Sequence, residues 1–338
     1  MRTKEIILFG ALSLFAYTAN SNAQTTTVPV EAPKEVSMPT TPKIGGFIGT
    51  RFQQTTNGYG AGKTGFDLKN AIVDITGNYS KTINYRLRSD FAGVPHILDA
   101  YAEWKPLQSI GLQIGQFQLP YTYENQYIPK TLEFADFSQV TAGMVFNGSK
   151  GRDIGISING NFLPKQGYNL LEYKLAVMNG SGYNKGDDNS SLDLIGNLSI
   201  NPIKALSISG SYLSGKVSPT PGANVVDKNR TSFGLKYEDA KALLRAEYLS
   251  GKVNTLEAMG YYAVAGYFVT KNIQPVLKYD YYQSNTAIDN TGNTQYVAGV
   301  NYWMASKTRI LLNYTYSKSN DAAKKDFSLV SAGLIVSL

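Results

Sequence analysis

From about residue 44 to the last residue, apolar and polar side chains alternate along short stretches of the chain. A period of two residues places alternate side chains on opposite faces of a β-strand. The last stretch shows the pattern best, with one set on each face: Val330, Ala332, Leu334, Val336 and Leu338 against Leu329, Ser331, Gly333, Ile335 and Ser337. The alternation predicts an all-β chain, either a soluble sandwich or a barrel with its apolar face toward lipid.

The rhythm of the connections distinguishes these two folds. We predict sixteen strands, at 44–54, 68–79, 82–92, 96–105, 109–117, 152–161, 170–179, 192–201, 204–214, 230–238, 241–250, 258–270, 273–283, 295–304, 308–318 and 326–338. Connections after even-numbered strands are short, except for a longer predicted turn around Pro164 and Gly167, and those after odd-numbered strands are generally long and polar. Because outer-membrane barrels have this asymmetry, we predict an antiparallel sixteen-stranded transmembrane barrel over 44–338.

Charged residues fall on the face opposite the apolar set, as in the third strand, where Arg86 and Arg88 alternate with Tyr85 and Leu87. A Lys or Arg that faces the bilayer midplane costs about 2–4 kcal/mol, so the charged face is predicted to line a wet interior. The predicted pore-lining residues are Arg51, Arg86, Arg88, Lys174, Lys236, Arg245, Lys278, Arg309, Asp90, Asp99, Glu103, Glu247 and Asp280. Opposed rows of the two signs would suit a general channel better than a dedicated binder.

Two predicted strands, 258–270 and 295–304, are partly apolar on both faces. The residues responsible include Tyr262, Val264, Phe268 and Trp303. Three interpretations remain open for them: packing against an inserted loop, contact with a neighbouring subunit, or an ordinary packed wall.

The longest connection, 118–151, is rich in aromatic residues. Loops of this length are usually functional, so we predict that it folds into the lumen and narrows the channel; an external lid is the alternative. Residues 132–140 are predicted to form a short helical turn. The predicted constriction residues are Tyr121, Tyr123, Glu124, Lys130, Glu133, Asp136, Lys150 and Arg152.

The N-terminus reads as an export signal. Arg2 and Lys4 precede an apolar run too short to span a membrane as a helix, and Ser21-Asn22-Ala23 supplies small residues for cleavage, so 1–23 is a predicted signal peptide. Residues 24–43 are rich in Thr and Pro. We expect a flexible periplasmic lead-in there, with a tether to a periplasmic partner as the alternative.

Composition narrows the function classes. The net charge of +7 is spread along the chain, whereas a nucleic-acid binder clusters its basic residues, so no nucleic-acid partner is predicted. The chain has no cysteine and one histidine, His96, which leaves little for thiol, metal or triad chemistry. We predict no enzyme activity, no cofactor and no metal. The 24 tyrosines suit the boundaries between membrane and water.

Four segments resemble the phosphate-selective porin O and P family of bacterial outer-membrane porins: LDAYAEWKP (98–106), LQIGQFQLPY (112–121), GRDIGISI (151–158) and YKLAVMNGSGYN (173–184). The resemblance implies a homotrimer of sixteen-stranded barrels in the outer membrane of a Gram-negative-type bacterium. It also implies passive diffusion of small hydrophilic solutes or ions, with anions such as phosphate among them. Named members use a ladder of arginines, whereas the inward arginines here interleave with carboxylates.

The predicted function is therefore an outer-membrane porin, whose partners are small hydrophilic solutes or ions and the surrounding lipid. A non-conducting surface or adhesion protein with a plugged barrel is the alternative. An outer-membrane hydrolase is a third class, but it would depend on His96, which lies in a predicted hairpin among Val94, Pro95 and Ile97.

Overall fold

The computed structural model describes residues 41–56, 64–146, 149–218 and 224–338. These residues form sixteen strands: β1 (Lys43–Thr56), β2 (Thr64–Asn78), β3 (Ile83–Asp90), β4 (His96–Leu107), β5 (Ile110–Gln118), β6 (Arg152–Lys165), β7 (Tyr168–Met178), β8 (Asp193–Ile203), β9 (Leu206–Val217), β10 (Val226–Glu238), β11 (Ala242–Val253), β12 (Leu256–Tyr267), β13 (Ile273–Gln283), β14 (Gly292–Ala305), β15 (Thr308–Ser319) and β16 (Phe327–Ser337). The predicted signal peptide and most of the predicted lead-in lie outside the described residues.

The strands close into a single barrel. Each strand pairs with its sequence neighbours in antiparallel register, and β1 pairs with β16 to close the sheet. The closing register runs from Phe47 opposite Ser337 to Thr56 opposite Ser328. Closure satisfies the backbone hydrogen bonds that an open sheet edge would leave unpaired in lipid. The prediction of an antiparallel sixteen-stranded barrel is confirmed.

Alternation along the strands separates an apolar outer face from a charged inner face. On β11, Leu244 is 56% exposed and its neighbour Arg245 only 2%. On β13, Leu277 is 62% exposed and Lys278 only 5%. An exposed apolar belt around the outside and charges within are what a barrel in lipid requires.

Connections after even-numbered strands are short, as predicted. The turn between β6 and β7, which we expected to be longer, is also short. β6 ends at Lys165 and β7 begins at Tyr168, so that prediction is wrong and the turn has two residues. Gly167 there has a φ of +81°, which glycine adopts readily. Leu163 has a φ of +53°, but Phe162 and Pro164 on either side of it keep the same register with β7, so the proline-containing stretch stays in the strand.

Helical structure lies mainly in the connection between β5 and β6. It comprises α1 (Tyr123–Gln126), a 3₁₀ turn (Pro129–Thr131) and a π-helical turn (Thr141–Phe146). The helical turn predicted for 132–140 is misplaced, because the structure has irregular chain over most of that stretch. Within the described ranges, no helix is both long and apolar enough to cross a bilayer.

Candidate functional site: the barrel interior and its inserted loop

The chain between β5 and β6, residues 119–151, is called the inserted loop. Its two ends are fastened together, because the Leu119 N–H donates to the carbonyl of Gly151 over 2.9 Å. The Asn125 amide donates to the carbonyls of both residues, at 2.9 and 3.1 Å. Asn125 belongs to α1, whose first turn is capped by the Thr122 hydroxyl. The loop therefore leaves and re-enters the sheet at one point.

Beyond this point the inserted loop is held by inward side chains of the opposite wall. The buried carboxylate of Glu247 on β11 accepts hydrogen bonds from the backbone N–H groups of Tyr123 and Glu124. Two residues earlier on β11, Arg245 forms an ion pair with Glu133 over 2.7 Å. Because these wall side chains face away from the lipid side, the loop lies inside the barrel and crosses it.

A second anchor holds the tip of the loop near β1 and β2. The Asp136 carboxylate forms ion pairs with Arg51, at 3.1 Å, and with Lys69. From β13, the Lys278 ammonium donates to the Asp136 carbonyl over 3.2 Å. Lys69 was not among the residues predicted from the sequence, because the register of β1 and β2 shifts beside it, where Gly49 pairs with Asn70. Simple alternation does not reveal such a bulge.

Apolar residues of the loop pack against apolar residues of the inner wall. Tyr121, Val140 and Met144 join a buried cluster that also contains Tyr262 and Val264 of β12. Of the interpretations left open for these two wall residues, the structure shows packing against the inserted loop. Phe268 and Trp303 stack near the turns instead, with ring centroids 5.1 Å apart.

One side of the interior carries a network of ion pairs. Asp74 on β2 binds both Arg86 and Arg88 of β3, at 2.6 and 2.7 Å. Asp99 on β4 binds Arg88 at 3.2 Å and Arg152 at 2.7 Å. We call the inward faces of β1–β4, with Arg152, the charged wall. Its opposite charges alternate in direct contact, which differs from the opposed rows considered above.

The other side of the interior carries a neutral polar surface. Inward positions of β8 and β9 carry serine and asparagine, and we call this surface the hydroxyl wall: Asn197, Ser199, Asn201, Ser207, Ser209 and Ser211. The Asn197 amide donates to Ser209 and Ser211 at 2.9 and 2.8 Å. A cavity of about 410 Å³ separates this wall from the loop, and its charged lining residues are Glu172, Lys174, Lys204, Lys236 and Glu238. Lys236 pairs with Glu238 at 3.8 Å. From the loop, Tyr123 donates to Ser207 over 2.7 Å and the Thr122 N–H donates to Ser211 over 3.5 Å.

The predicted pore-lining residues occupy inward positions to different depths. Most are buried by partners within the barrel, namely Arg88, Asp90, Asp99, Arg245, Glu247, Lys278, Asp280 and Arg309. Others are partly buried: Arg51, Arg86, Glu103 and Lys236. Lys174 is exposed within the interior and donates to Gln126 of the inserted loop over 3.3 Å. The Asp280 carboxylate accepts from the backbone of Gln139 at 2.8 Å.

The predicted constriction residues serve mainly to hold the loop in place. Four are buried, namely Tyr121, Glu124, Glu133 and Arg152. Glu124, for example, accepts a hydrogen bond from the Ser138 backbone at 3.0 Å. Lys130 lies over the Phe47 ring at 5.8 Å and Tyr123 is partly buried. Asp136 and Lys150 are the most exposed of the set.

The interior shifts the proton affinities of these loop groups. Burial raises the pKa of the Asp136 carboxyl, but the charges of Lys69 and Arg51 outweigh it and hold that pKa below its usual value. Burial lowers the pKa of the Lys150 ammonium and raises the pKa of the Tyr123 hydroxyl to about 12. Asp136 is therefore a fixed negative charge at neutral pH. Over the described ranges, no group of three or more acidic or histidine side chains is arranged to hold a metal ion.

Several solved structures share this architecture. An anion-selective porin from Comamonas acidovorans aligns with a TM-score of 0.70 at 14% identity, over 88% of this chain and 100% of that one. The outer membrane channel DcaP of Acinetobacter baumannii aligns with a TM-score of 0.69 at 12% identity, over 88% of this chain and 97% of that one. The in-vitro folded trimer form of OmpT from Vibrio cholerae aligns with a TM-score of 0.63 at 15% identity, over 88% of this chain and 99% of that one. Identities this low establish the fold alone.

Among curated proteins, none matches this sequence. The family model described as phosphate-selective porin O and P does match, over residues 43–234 and 220–338, which is nearly the whole barrel. The closed barrel, its exposed apolar belt and the family match all indicate that the protein lies in the bacterial outer membrane. The chain therefore belongs to the phosphate-selective porin O and P family.

Proposed function

We propose that this protein is an outer-membrane porin through which small hydrophilic solutes and ions diffuse passively, without a catalytic step. One observation carries the proposal: the inserted loop is fastened inside the barrel, yet a cavity of about 410 Å³ with lysine edges remains beside the hydroxyl wall. A loop held by buried ion pairs sets a fixed aperture. A polar, unfilled side of the interior supplies the path for water and solutes.

We propose a modest preference for anions, phosphate included. Most cations of the charged wall are balanced by carboxylates, as Asp74 and Asp99 balance the arginines beside them. Lys174 on the opposite side has no carboxylate within ion-pair distance among the described residues and donates only to an amide. Unbalanced lysine charge raises the local concentration of anions without creating a tight site.

Planar-bilayer recording tests this proposal. We expect discrete current steps in KCl, and a reversal potential under a KCl gradient that indicates weak anion preference. Added phosphate should change that potential slightly and should not block the current. Absence of steps would reject the porin in favour of a plugged surface protein, and strong block by phosphate would reject the modest preference.

A matched pair of variants locates the path. Lys174→Glu reverses one charge beside the hydroxyl wall and should move the reversal potential toward cation preference. Lys185→Glu makes the same change in the exposed connection between β7 and β8 and should leave the potential unchanged. Equal shifts in the two variants would show that Lys174 does not lie along the path.

We also propose that the protein assembles as a homotrimer. Support comes from the trimer form of the similar Vibrio cholerae OmpT and from the family to which the chain belongs. Light scattering on the detergent-solubilised protein, corrected for bound detergent, measures the mass directly. Three times the chain mass is expected, and the mass of one chain would reject assembly.

A further inference from the structure

A cavity of about 220 Å³ lies between the charged wall and the inserted loop. Much of its surface is apolar. The barrel contributes Phe47, Ile72 and Leu98, and the loop contributes Phe137 and Phe146. The last two rings meet edge to face, with centroids 4.7 Å apart. Rings in this arrangement form a wall that suits another flat aromatic group.

The polar part of this cavity is strongly cationic. Lys69, Arg88, Lys150 and Arg152 line it, and Asp90 is the one carboxylate among its lining residues. Lys150 is exposed, and its ammonium contacts the His96 ring nitrogen Nε2 over 2.6 Å. That contact leaves further ammonium protons for a ligand, since a lysine has three.

Two buried polar atoms of the lining residues have no partner. The Arg88 side chain is 4% exposed, and its Nε has no hydrogen-bond acceptor. Asn125 is 1% exposed, and its Oδ1 has no donor, although its amide nitrogen is fully used. Unpaired buried polar groups are costly and call for an explanation. Both residues line the same cavity. Of the two atoms, the Arg88 Nε is a donor and therefore suits an anionic ligand, whereas the Asn125 Oδ1 is an acceptor and needs a donor instead.

The surrounding carboxylates do not fully balance the guanidinium groups. Arg86, Arg88 and Arg152 share the two carboxylates of Asp74 and Asp99. The other charges of the lining, Lys69 and Lys150, are matched in number by Asp90 and by Asp136, the partner of Lys69. One positive charge therefore remains in excess, and it matches one negative charge on a ligand. Inorganic phosphate alone would leave the apolar part of the cavity unfilled, so a ligand with both a charge and an apolar body fits better.

We propose that this cavity binds a small aromatic monocarboxylate, with its ring between the barrel and loop phenylalanines and its carboxylate toward Lys150 and Arg88. Binding itself does not need conduction. The role as a recognition site for a permeating solute rests on the proposed porin function.

Equilibrium dialysis of the full chain in lipid nanodiscs tests the site, because nanodiscs avoid detergent tails that would compete for an apolar cavity. The probes are benzoate, benzamide, which keeps the shape without the charge, and acetate, which keeps the charge without the ring. Partition into empty nanodiscs is subtracted. Benzoate should bind saturably and at least about tenfold more tightly than either control, because hydrogen bonds to charged groups and ring burial each contribute that much.

Variants connect binding to this cavity. Lys150→Gln and Phe137→Ala should each weaken benzoate binding by about tenfold. Lys216→Gln removes an exposed lysine near the C-terminal end of β9 and should leave binding unchanged. Non-saturable binding, equal binding of benzamide or acetate, or equal losses in Lys150→Gln and Lys216→Gln would each overturn the site.

KCl conductance of the same preparations separates the two proposals. Benzoate binding without conductance would reject the porin function and keep the site. Conductance without saturable benzoate binding would reject the site and keep the porin function.

Discussion

The charged wall and the hydroxyl wall face each other across the same barrel, yet they meet the inserted loop in different ways. Against the charged wall the loop is bound by ionic contacts, such as Asp136 with Arg51 and Lys69. Against the hydroxyl wall it makes few contacts, among them the hydrogen bond from Tyr123 to Ser207. Space remains on that side, with a cavity of about 410 Å³.

This difference between the two walls shows how a water-filled barrel can keep the inserted loop, and with it the aperture, in a fixed position. Charged side chains inside a barrel are stable only when partners replace the lost water, so paired charges fix geometry. Serine and asparagine satisfy one another, as Asn197 does with Ser209 and Ser211, and remain tolerant of water. The charged wall and β11 therefore position the loop, and the hydroxyl wall leaves room for solute.

The largest expected effect is on stability, where the two walls should differ most. Asp99→Asn removes a buried carboxylate that serves Arg88 and Arg152, and should lower the free energy of unfolding by about 3–5 kcal/mol. Ser209→Ala removes one acceptor of the Asn197 amide, which keeps Ser211, and should cost about 1 kcal/mol. Urea unfolding in lipid vesicles measures both values. Equal costs would remove the distinction between the walls.

A smaller effect is expected on ion selectivity. Asp136→Asn leaves Lys69 without its carboxylate partner and should raise the chloride-to-potassium permeability ratio about fourfold. One charge about 10 Å away in water contributes roughly 0.4 kcal/mol, which favours chloride about twofold and disfavours potassium about twofold. The reversal potential under a KCl gradient reports the ratio. Asp187→Asn makes the same change in an exposed connection and should leave the ratio unaltered. An unaltered ratio in Asp136→Asn would mean that the freed cations do not face the path.

The smallest effect expected is that of mild acid on the loop tether. The pKa of Asp136 is held below its usual value, so its stabilising contribution is complete above about pH 4 and is lost only as the pH falls through the lowered pKa. Conductance at about pH 7 and about pH 5 should therefore show the same Asp136-dependent component. The difference in conductance between wild type and Asp136→Asn measures this component, and its disappearance at about pH 5 would contradict the assignment.

One regular signal, the alternation of apolar and polar residues, was enough to predict the barrel from the sequence. Lipid and lumen impose a period of two on every strand, so Leu244 beside Arg245, and Leu277 beside Lys278, reveal their faces without any tertiary information. At two places the sequence pattern did not predict the structure. The bulge beside Lys69 turns an anchor of the loop inward, and the proline-containing end of β6 keeps its pairing with β7 where we expected a longer turn.

The candidate site depended more on three-dimensional structure. The sequence identified the long connection and the charged positions that accompany it, but not that Glu247 would accept the backbone of α1 or that Asp136 would reach β1 and β2. These partners are separated by 67 to 124 residues in the chain. No local pattern encodes such pairings.

Alternation and loop rhythm thus determined the strands, their faces and the closed barrel, because a membrane applies the same rule to every strand. The tertiary structure alone decided which carboxylate meets which cation, where the loop crosses, and which wall stays open. Those outcomes depend on strand register, bulges and the packing of one irregular segment. Many similar charged residues could pair with one another, and only the complete three-dimensional arrangement determines which of them do.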